Sequence, residues 1–465
     1  MPSLSSALDA LIVELGPGAV STTAEDLDAT SHDTWPLATK WAHAGMHPHR
    51  ADALVRVTAV EQIPTVLAVA TREEVPVTVR ALGSSVTGQP LPVRGGIVLD
   101  LSGIPATYEV DEVDLTVTAT ASQHGGDLED ALQQRGLTLG HSPQSLYRST
   151  VGGWLATLAT GQFSSLYGGI EDLVVGYTVV LATGESVELS ASPRAAMGPD
   201  LRQVFLGSEG TLGVITSVTL KVFPLPETQL VQTVALPSVR AGLDLMREQA
   251  RLGLRPFLVR FYDADEARHA MADPSFASPV MFLGSRGVDA MARTELDTLL
   301  ALAERFGGTV LGPDGAQAWL DRRFDFSTVE NLLATPGGYA ETIEVAHRWS
   351  RLEGLHADLK QALAPLADEV LAHFSHVYTQ GSSLYLILLG RAEDDVAAIA
   401  RLESLWSTAM EVCLRHGAEL SHHHGGGLAR SPYTRRSLGS AHLVLRRLKD
   451  ALDPAGVLNP GKLGL

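Results

Sequence analysis

Two periodicities of the apolar residues divide the chain into strands and helices. Apolar and polar positions alternate over 53–60, take the spacing of a helix over 61–74 and alternate again over 75–82. This order predicts a β-α-β unit. Further strands are predicted at 97–104 and within 108–122, followed by a helix over 127–136. An amphipathic helix is predicted at 6–15, whereas 26–49 shows no clear period.

The pattern changes after Val222, where two prolines separate the apolar segments. From there strands alternate with amphipathic helices, which is typical of an α+β domain. The predicted strands are 233–238, 256–263, 279–285, 308–312 and two within 373–390 that meet at a turn at Gln380–Gly381. The predicted helices are 239–253, 266–272, 293–307, 349–366, 394–416 and 433–452, and Ala191 to Asp200 is predicted to be a loop.

The length of 465 residues exceeds that of one ordinary domain, so we expect two intertwined domains. We predict an α+β fold with a lead-in at 1–50, a first domain at 51–225, a second domain at 226–420 and a C-terminal return to the first domain at 421–465. The turn-forming residues of 453–463 favour such a return.

Composition argues against several classes of protein. With 53 acidic and 35 basic residues the formal net charge is -18, which repels phosphate backbones, so nucleic acid is not an expected partner. The single Cys413 cannot form an internal disulfide. No signal peptide and no apolar run of about 18 residues is evident, so we expect a cytoplasmic protein without a transmembrane segment. A homodimer is compatible with these features, which do not determine the oligomeric state.

Glycine-rich segments at 80–89 (RALGSSVTGQ), 141–161 (HSPQSLYRSTVGGWLATLATG) and 206–215 (LGSEGTLGVI) stand beside the predicted strands. Each can turn tightly and present bare backbone N–H groups, which suits a flat or anionic cofactor. One such segment alone is most often only a turn. The segment 167–185 (YGGIEDLVVGYTVVLATGE) follows the second of them.

Three consecutive histidines, His422, His423 and His424, follow the apolar Leu420. On a strand, His422 and His424 would share one face and His423 would lie on the other. A metal site would need further ligands that the spacing does not identify, and we predict none. Acid–base chemistry near an unperturbed pKa of about 6.5 and a solvated histidine cluster are the alternatives.

Together these segments resemble the FAD-binding domain of vanillyl-alcohol-oxidase-type flavoproteins. Within that superfamily they are most similar to the alkylglycerone-phosphate synthase (alkyldihydroxyacetonephosphate synthase) family, whose pattern includes the Ser-His-His-His-Gly found here at Ser421–Gly425. The resemblance runs from about residue 50 to the C-terminus. It implies a two-part FAD-binding domain with an α+β cap over the substrate, and an enzyme that works at flavin N5.

The resemblance implies FAD as the cofactor. Ser84 and Ser85 occupy the region where relatives with covalent flavin often carry a His or Cys, so we expect non-covalent FAD, with His141 as the less favoured tether. His141 either hydrogen-bonds a carbonyl or lines the substrate side of the flavin. The residues implied to bind the cofactor are Arg80, Ala81, Leu82, Gly83, Ser84, Ser85, Val86, His141, Pro143, Gln144, Ser145, Leu146, Tyr147, Arg148, Ser149, Ala156, Thr157, Leu158, Ala159, Glu209, Gly210, Thr211, Leu212, Gly213, Val214 and Ile215.

The resemblance also implies catalytic roles for Tyr385, as proton donor and acceptor, and for His422, His423 and His424. Without it, a tyrosine in the apolar strand around Tyr385, on the side of Ser383 and Ile387, is more often a core residue. Tyr378 and Arg260 match residues of the same pattern on the substrate side. The alternative for Arg260 is a salt bridge with Asp263 or Asp265.

The sequence departs from the family pattern at several positions. Ala81 and Leu82 replace glycines, and Leu158 replaces an arginine. Glu330 or a neighbour stands where the family carries an arginine that grips the substrate phosphate, with Arg322 and Arg323 upstream. A carboxylate would repel a phosphate, and a lost charge-assisted contact removes about 1.5 to 3 kcal/mol. We therefore expect a substrate other than an acyl-glycerone phosphate, with Arg323 and Glu330 among the substrate-side residues.

Three functions follow as hypotheses. The first is a FAD-dependent oxidase or dehydrogenase acting on a small or lipid-like organic substrate. The second is a redox-neutral ether-lipid transferase. The third is a non-catalytic flavin-binding protein, for which the histidines and Tyr385 would be unnecessary.

Overall fold

The computed structural model describes residues 3–189 and 193–465. Residues 1 and 2 of the predicted lead-in, and 191 and 192 of the predicted loop, lie outside the described residues. The strands of the first half are β1 (Val20–Ser21), β2 (Ala53–Arg56), β3 (Val77–Arg80), β4 (Ile97–Asp100), β5 (Tyr108–Asp111), β6 (Thr116–Thr120), β7 (Leu137–Thr138), β8 (Val174–Val180), β9 (Ser186–Leu189), β10 (Val214–Lys221) and β11 (Phe223–Pro224). Its helices are α1 (Leu4–Leu15), α2 (Ala24–Ala29), α3 (Pro36–His43), α4 (Gln62–Arg72), α5 (Gly125–Gln133), α6 (Val151–Thr157), α7 (Ser164–Tyr167) and α8 (Ile170–Leu173).

Two main sheets build this first half. The predicted β-α-β unit is present: β2 and β3 both pair in parallel with β4, and α4 makes the crossover. The buried face of α4 packs through Ile63 and Leu67 against Val55 and Leu99, because its apolar residues recur at helical spacing. The second sheet has five strands in the order β5-β6-β10-β8-β9, all antiparallel.

A seven-stranded antiparallel sheet, in the order β15-β12-β14-β13-β17-β18-β16, dominates the second half. Its strands are β12 (Thr228–Ala235), β13 (Leu258–Tyr262), β14 (Val280–Gly287), β15 (Thr309–Gly312), β16 (Gly338–Arg348), β17 (Glu369–Val377) and β18 (Gly381–Arg391). Its helices are α9 (Val239–Arg251), α10 (Ala264–Ala270), α11 (Asp289–Arg305), α12 (Asp314–Arg322), α13 (Ser327–Ala334), α14 (Trp349–Leu363) and α15 (Asp395–His416). Leu384, Leu386 and Leu388 of β18 are fully buried in one core with leucines of α14 and α15, so the alternate residues of β18 face the opposite side.

The C-terminal segment carries α16 (Gly427–Leu438) and α17 (His442–Leu452) and then runs against the first half. Val77 N–H donates to Val457 O at 2.8 Å, and Asn459 N–H donates to Val77 O at 2.8 Å. The buried Lys462 ammonium donates to Leu91 O at 2.6 Å. The C-terminal segment therefore lies against the four-stranded sheet that contains β2, β3 and β4.

The structure differs from several expectations. The segment 26–49 contains most of α2 and all of α3. No helix was predicted there, because its many polar residues obscure the helical spacing of the apolar ones. The helix predicted over 433–452 is two helices, because the chain turns at Gly439, where φ is +53°. Strand β16 and helices α12 and α13 had no counterpart among the predictions. Within the described ranges, no helix combines the length and apolarity that a membrane crossing requires.

Candidate active site

Four side chains form a row across the seven-stranded sheet, on the face opposite the leucine core. Glu344 of β16 pairs with Tyr385 of β18, Tyr385 with His373 of β17, and His373 with Tyr262 of β13. The Tyr385 ring stacks on that of His373, with centroids 4.7 Å apart. Strand alternation thus places Tyr385 on the side of Ser383, as predicted, and flanks it with two titratable residues.

The histidine triplet lies in a bend rather than on a strand, so the prediction that His422 and His424 share a strand face was wrong. The cause is Glu344, whose fully buried carboxylate accepts hydrogen bonds from the backbone N–H groups of His422, His423 (3.2 Å) and His424 (3.0 Å). In a strand, successive amides point in opposite directions and could not converge on one group. Ser421 Oγ and Arg430 Nη2 donate to the same carboxylate at 2.8 and 3.1 Å.

The bend brings the predicted catalytic residues into one cluster. The ring centroid of Tyr385 lies 6.1 Å from that of His423 and 5.6 Å from that of His424. Tyr378 shares a hydrogen bond of 2.8 Å with His422 Nε2. Residues far apart in sequence thus form a continuous group of phenols and imidazoles.

Burial keeps these groups uncharged near neutral pH. It lowers the pKa of His422 and of His424 to about 4, the nearby Glu344 carboxylate notwithstanding, and lowers the pKa of His423 well below its usual value. The pKa of Tyr385 rises to about 12, chiefly because of burial. The imidazoles are therefore neutral acceptors, and Tyr385 retains its proton.

Ring nitrogens of His376, His422 and His423 lie within 4.8 Å of one another, close enough to hold a metal ion. Other interactions already occupy several of these atoms. His376 Nδ1 is 2.7 Å from Ser164 Oγ, and the Nδ1 atoms of His422 and His423 are 2.8 Å apart. The absence of a metal stays a prediction.

His373, whose ring stacks on that of Tyr385, contacts both a buried carboxylate and an arginine. Its Nδ1 lies 2.9 Å from the Glu266 carboxylate, and its Nε2 lies 2.7 Å from Arg260 Nη2. Arg260 does not form the salt bridge with Asp263 or Asp265 considered above, because both carboxylates pair with Lys360. The guanidinium of Arg260 therefore remains next to the histidine that supports Tyr385.

The first glycine loop presents free backbone donors. Gly83 and Gly88 adopt φ of +66° and +84°, and a Cβ at Gly83 would lie 2.2 Å from the Arg80 guanidinium. Nowhere in 3–189 or 193–465 is there an acceptor for the N–H groups of Gly83, Ser84, Ser85 and Val86. A run of unpaired amides of this kind can bind phosphate oxygens.

Residues 32–34 of the predicted lead-in, whose sequence gave no clear period, form hydrogen bonds with this loop. Asp33 accepts from Gly88 N–H at 2.9 Å, and His32 O accepts from Arg80 Nη1 at 2.8 Å. Thr34 Oγ1 donates to Ser84 O at 2.9 Å and to Ser85 O at 2.8 Å. Burial raises the pKa of Asp33 to about 6. These contacts fix the direction of the loop amides.

A second segment predicted to bind the cofactor, Glu209–Ile215, is hydrogen-bonded to the glycines that follow the histidine bend. Glu209 has φ of +53° and is buried, and its carboxylate accepts from the N–H groups of Gly426 and Gly427, the latter at 3.0 Å. Gln89 of the first loop donates to His424 O at 2.6 Å. The first predicted cofactor loop therefore contacts the triplet at His424, and the second contacts the glycines that follow the triplet.

His141 lies fully buried with its ring 4.6 Å from that of Trp154. Neither of its ring nitrogens, nor the hydroxyl of Ser142, finds a partner among the described residues, so the carbonyl hydrogen bond considered above is not formed. Burial lowers the pKa of His141 to about 3. Both residues line a cavity of about 320 Å³ between the two halves.

Other predicted residues lie at the end of α6, at the surface and in the cavity wall. Leu158 ends α6 in the left-handed conformation, and Arg148 forms an ion pair with Glu330 in which both side chains are about half exposed. The Glu330 carboxylate is thus neutralised at the surface and is not brought to the triplet. Arg323 instead lines the cavity. Pro143, Gln144 and Ser145 lead into a short 3-10 turn at Leu146–Arg148.

Comparison with known proteins decides the family. Residues 225–463 match the family described as FAD linked oxidases, C-terminal domain, and residues 51–190 match the FAD binding domain. The chain belongs to the FAD-linked oxidases. This confirms the resemblance inferred from the glycine segments, and FAD is the cofactor of this flavoprotein.

Several relatives of this FAD-linked oxidase span most of it. The FAD-linked oxidoreductase YgcU of Escherichia coli (strain K12) is 30% identical over 440 residues, covering 88% of each chain. The alkyldihydroxyacetonephosphate synthase of Dictyostelium discoideum is 28% identical over 459 residues, covering 90% of this chain and 74% of the relative. The solved structure of p-cresol methylhydroxylase, 16% identical, superposes with a TM-score of 0.83 over 99% of this chain and 96% of that one. The expected fold, a FAD-binding part with an α+β cap, is confirmed.

The residues present fit FAD. Within the described residues, the amides of 83–86 have no acceptor, which suits the pyrophosphate, and buried polar atoms of His141, Ser142 and His424 have no hydrogen-bond partner and are available to a ligand. Which residues touch the flavin stays a prediction.

Glu344, Asp33 and Arg286 were not among the predicted site residues. A charged residue inside an apolar strand was the available signal for Glu344, because such a group is buried only when paired. Asp33 and Arg286 gave no comparable signal, since the groups that they contact, Gly88 for Asp33 and aromatic rings for Arg286, are distant in sequence.

Proposed function

We propose that this protein is a FAD-dependent oxidase or dehydrogenase that removes hydride from a C–H bond next to a hydroxyl or amine of a small or lipid-like organic molecule. When bound, non-covalent FAD supplies the hydride acceptor at N5. The observation that carries the proposal is the buried, neutral pair of Tyr385 and His424 beside the cofactor loops.

The two side chains divide the proton chemistry. Loss of hydride from the carbon must be accompanied by loss of a proton from the neighbouring hydroxyl or ammonium. The ring of His424 is neutral above about pH 4, so one of its nitrogens can accept this proton; its Nδ1 has no hydrogen-bond partner among the residues described and lies 3.8 Å from Glu344 Oε1. Tyr385 keeps its own proton and donates a hydrogen bond to the substrate oxygen, or to the nitrogen once the ammonium has lost its proton.

Replacing Tyr385 with Phe tests the proposal. Mixed anaerobically with candidate alcohols and amines, the wild-type protein should lose its flavin absorbance, and the Tyr385→Phe protein should do so at least tenfold more slowly while retaining FAD. Tyr339→Phe is the matched control, because this buried tyrosine of the neighbouring β16 donates to Leu366 O on the opposite face of the sheet. Equal rates for the wild-type and Tyr385→Phe proteins would remove Tyr385 from the mechanism.

A redox-neutral ether-lipid transferase is the second candidate. The Ser421–Gly425 motif, Tyr385 and the similarity to an alkyldihydroxyacetonephosphate synthase support it. Against it stands the expected loss of the arginine with which that family grips the substrate phosphate: Glu330, at or next to that position, pairs with Arg148. Alkyl-for-acyl exchange without oxygen uptake and without flavin bleaching would establish this function over the oxidoreductase.

A further inference from the structure

The cavity between the two halves holds two arginines that form no ion pair with any residue of 3–189 or 193–465. The first half contributes His141 and Leu146 to its wall, and the second contributes Arg286 of β14 and Arg323, which follows α12. Its volume of about 320 Å³ lies at the lower end of the range for small-molecule sites.

The donors of both guanidinium groups are largely unused. No carboxylate of the described ranges lies within 4.0 Å of either group, and the Nε atom of each is buried without a partner. Among the described residues, Arg323 Nη1 donates to Leu320 O at 2.6 Å, and Arg286 donates from Nη1 to Gln229 Oε1 at 3.5 Å and also hydrogen-bonds the side chain of Tyr167. The buried Arg430 differs, because it donates to three backbone carbonyls and to Glu344.

Aromatic rings fix the two arginines beside each other. The Arg286 guanidinium lies 4.6 Å from the ring centroid of Phe163, and that of Arg323 lies 5.6 Å from the same ring. The Arg286 guanidinium also lies 4.8 Å from the ring centroid of Tyr167, and that of Arg323 lies 4.3 Å from the ring centroid of Phe324. Burial lowers the pKa of both guanidinium groups, and the charge of Arg286 lowers that of Arg323 further. Two cations beside one ring, of which Arg286 lowers the pKa of Arg323, favour an anion within reach of both.

The acidic residues of the cavity are engaged elsewhere. Glu129 accepts from Gln133 Nε2 at 2.8 Å, Thr138 Oγ1 at 2.6 Å and Leu139 N–H at 2.8 Å. Asp321 is exposed and accepts from Gln317 at 2.9 Å. Their charges moderate the field in the cavity, but they leave the guanidinium donors free.

The cavity adjoins the candidate active site. Phe163 lies in its wall, and the next residue, Ser164, is hydrogen-bonded to His376, whose ring stacks on that of His422 at 4.7 Å. His141 and Ser142, which precede the predicted cofactor segment 143–149, also line it. A molecule held by the arginines would extend toward the histidine cluster.

We propose that Arg286 and Arg323 bind the carboxylate or phosphate group of a small organic anion, and that this anion is the substrate. The apolar wall formed by Leu146, Phe163 and Leu320 accommodates its carbon skeleton. Two guanidinium groups can each offer paired N–H donors to the oxygens of such a group. The assignment of the anion as substrate rests on the proposed oxidoreductase function, whereas the binding site itself does not.

Calorimetric titration of the FAD-loaded protein with benzoate, inorganic phosphate and neutral benzamide tests the proposal. We expect at least one anion to bind, and benzoate, if it is that anion, to bind more tightly than benzamide. The double variant Arg286→Gln/Arg323→Gln should bind that anion at least about tenfold more weakly. Arg322→Gln is the matched control: it removes the same charge one residue away, from a side chain that donates to Ala270 O outside the cavity.

The outcomes are distinct. Binding of benzoate alone identifies a carboxylate site, and binding of phosphate alone identifies a phosphate site; either supports the proposal. No binding of either anion, or equal affinity in the double variant, overturns it, even if the Tyr385 test succeeds. Anion binding without flavin reduction by any anionic substrate would leave the site intact and count against the oxidoreductase. Should the double variant lose FAD, Arg286→Lys and Arg323→Lys keep the charge but lose the planar fork, and each should still weaken binding about tenfold.

Discussion

Glu341 and Glu344 are two fully buried carboxyl groups on one strand, and the same substitution should affect them in opposite ways. They lie on opposite faces of β16. Glu344 faces the histidine bend and Arg430, whose charge, with the amides, lowers its pKa despite burial. Glu341 accepts from Trp406 Nε1 at 2.7 Å, and burial raises its pKa to about 8. At pH 7, Glu344 is ionised and Glu341 retains its proton.

Glu344→Gln should therefore be strongly destabilising. It removes the charge opposite the buried Arg430 and turns an amide NH₂ toward the converging N–H groups of the triplet. Breaking a buried ion pair in this way costs about 3 to 5 kcal/mol, a large part of a typical stability of about 5 to 15 kcal/mol. The bend should loosen, and flavin reduction should slow at least tenfold in protein that still binds FAD.

Glu341→Gln should be tolerated, because a neutral amide resembles the neutral carboxylic acid. The pKa of this group is higher in the folded than in the unfolded state, so its contribution to stability is fully present below about pH 4.5 and is lost as the pH rises through about 8. The wild-type protein should thus lose about 1.4 kcal/mol per pH unit in this window relative to Glu341→Gln. Thermal unfolding of both variants between pH 5 and 8 measures the difference. If Glu344→Gln unfolded at the wild-type temperature, or the two variants behaved alike, the assigned ionisation states would be incorrect.

Three further predictions concern the cofactor and the cluster. Dialysis against a chelator should leave turnover unchanged, because the ring nitrogens of His376 and His422 already have partners; stoichiometric metal by mass spectrometry with loss of activity on its removal would contradict this. The rate of anaerobic flavin reduction should hold from pH 8 to about 5 and fall toward pH 4, where His424 becomes protonated, whereas a fall centred near 6.5 would show an unperturbed histidine. Asp33→Ala should weaken FAD binding about tenfold by freeing Gly88 N–H, as measured by flavin fluorescence on dilution, and unchanged affinity would show that the loop holds itself.

Much of the secondary structure could be predicted because each element carries its own period. The amphipathic helix at 6–15, the β-α-β unit and the helix at 394–416 all correspond to observed elements. Period alone does not reveal where elements pair, and so β4, which lies between β2 and β3, had no predictable position. The strand assigned to the histidine triplet failed for a related reason. The alternation expected for residues 422–424 is not adopted, because their backbone N–H groups bind the carboxylate of Glu344, which lies on another element.

Candidate chemistry was predictable where it depends on residue type within a short segment. The glycine loops, the triplet and Tyr385 are of this kind. Arg286 is not, because its significance lies in what surrounds it: aromatic rings from other segments and no carboxylate partner within the described parts of the chain. A sequence records a guanidinium but not whether its donors are used.

The histidines and the arginines near the candidate site differ in charge, and this difference suits them to different roles. Burial makes His422, His423 and His424 neutral, so the triplet cannot supply positive charge to an anionic substrate, and it remains able to take up a proton. Permanent positive charge comes instead from Arg286 and Arg323, which stay protonated at any physiological pH. If the triplet were cationic, it would attract the anionic group of the substrate to the position that the reacting carbon must occupy. On the proposal that the substrate is a small organic anion, neutral imidazoles beside Tyr385 and the cations Arg286 and Arg323 beside Phe163 would orient one molecule, with its anionic end at the arginines and its oxidisable carbon at the histidines.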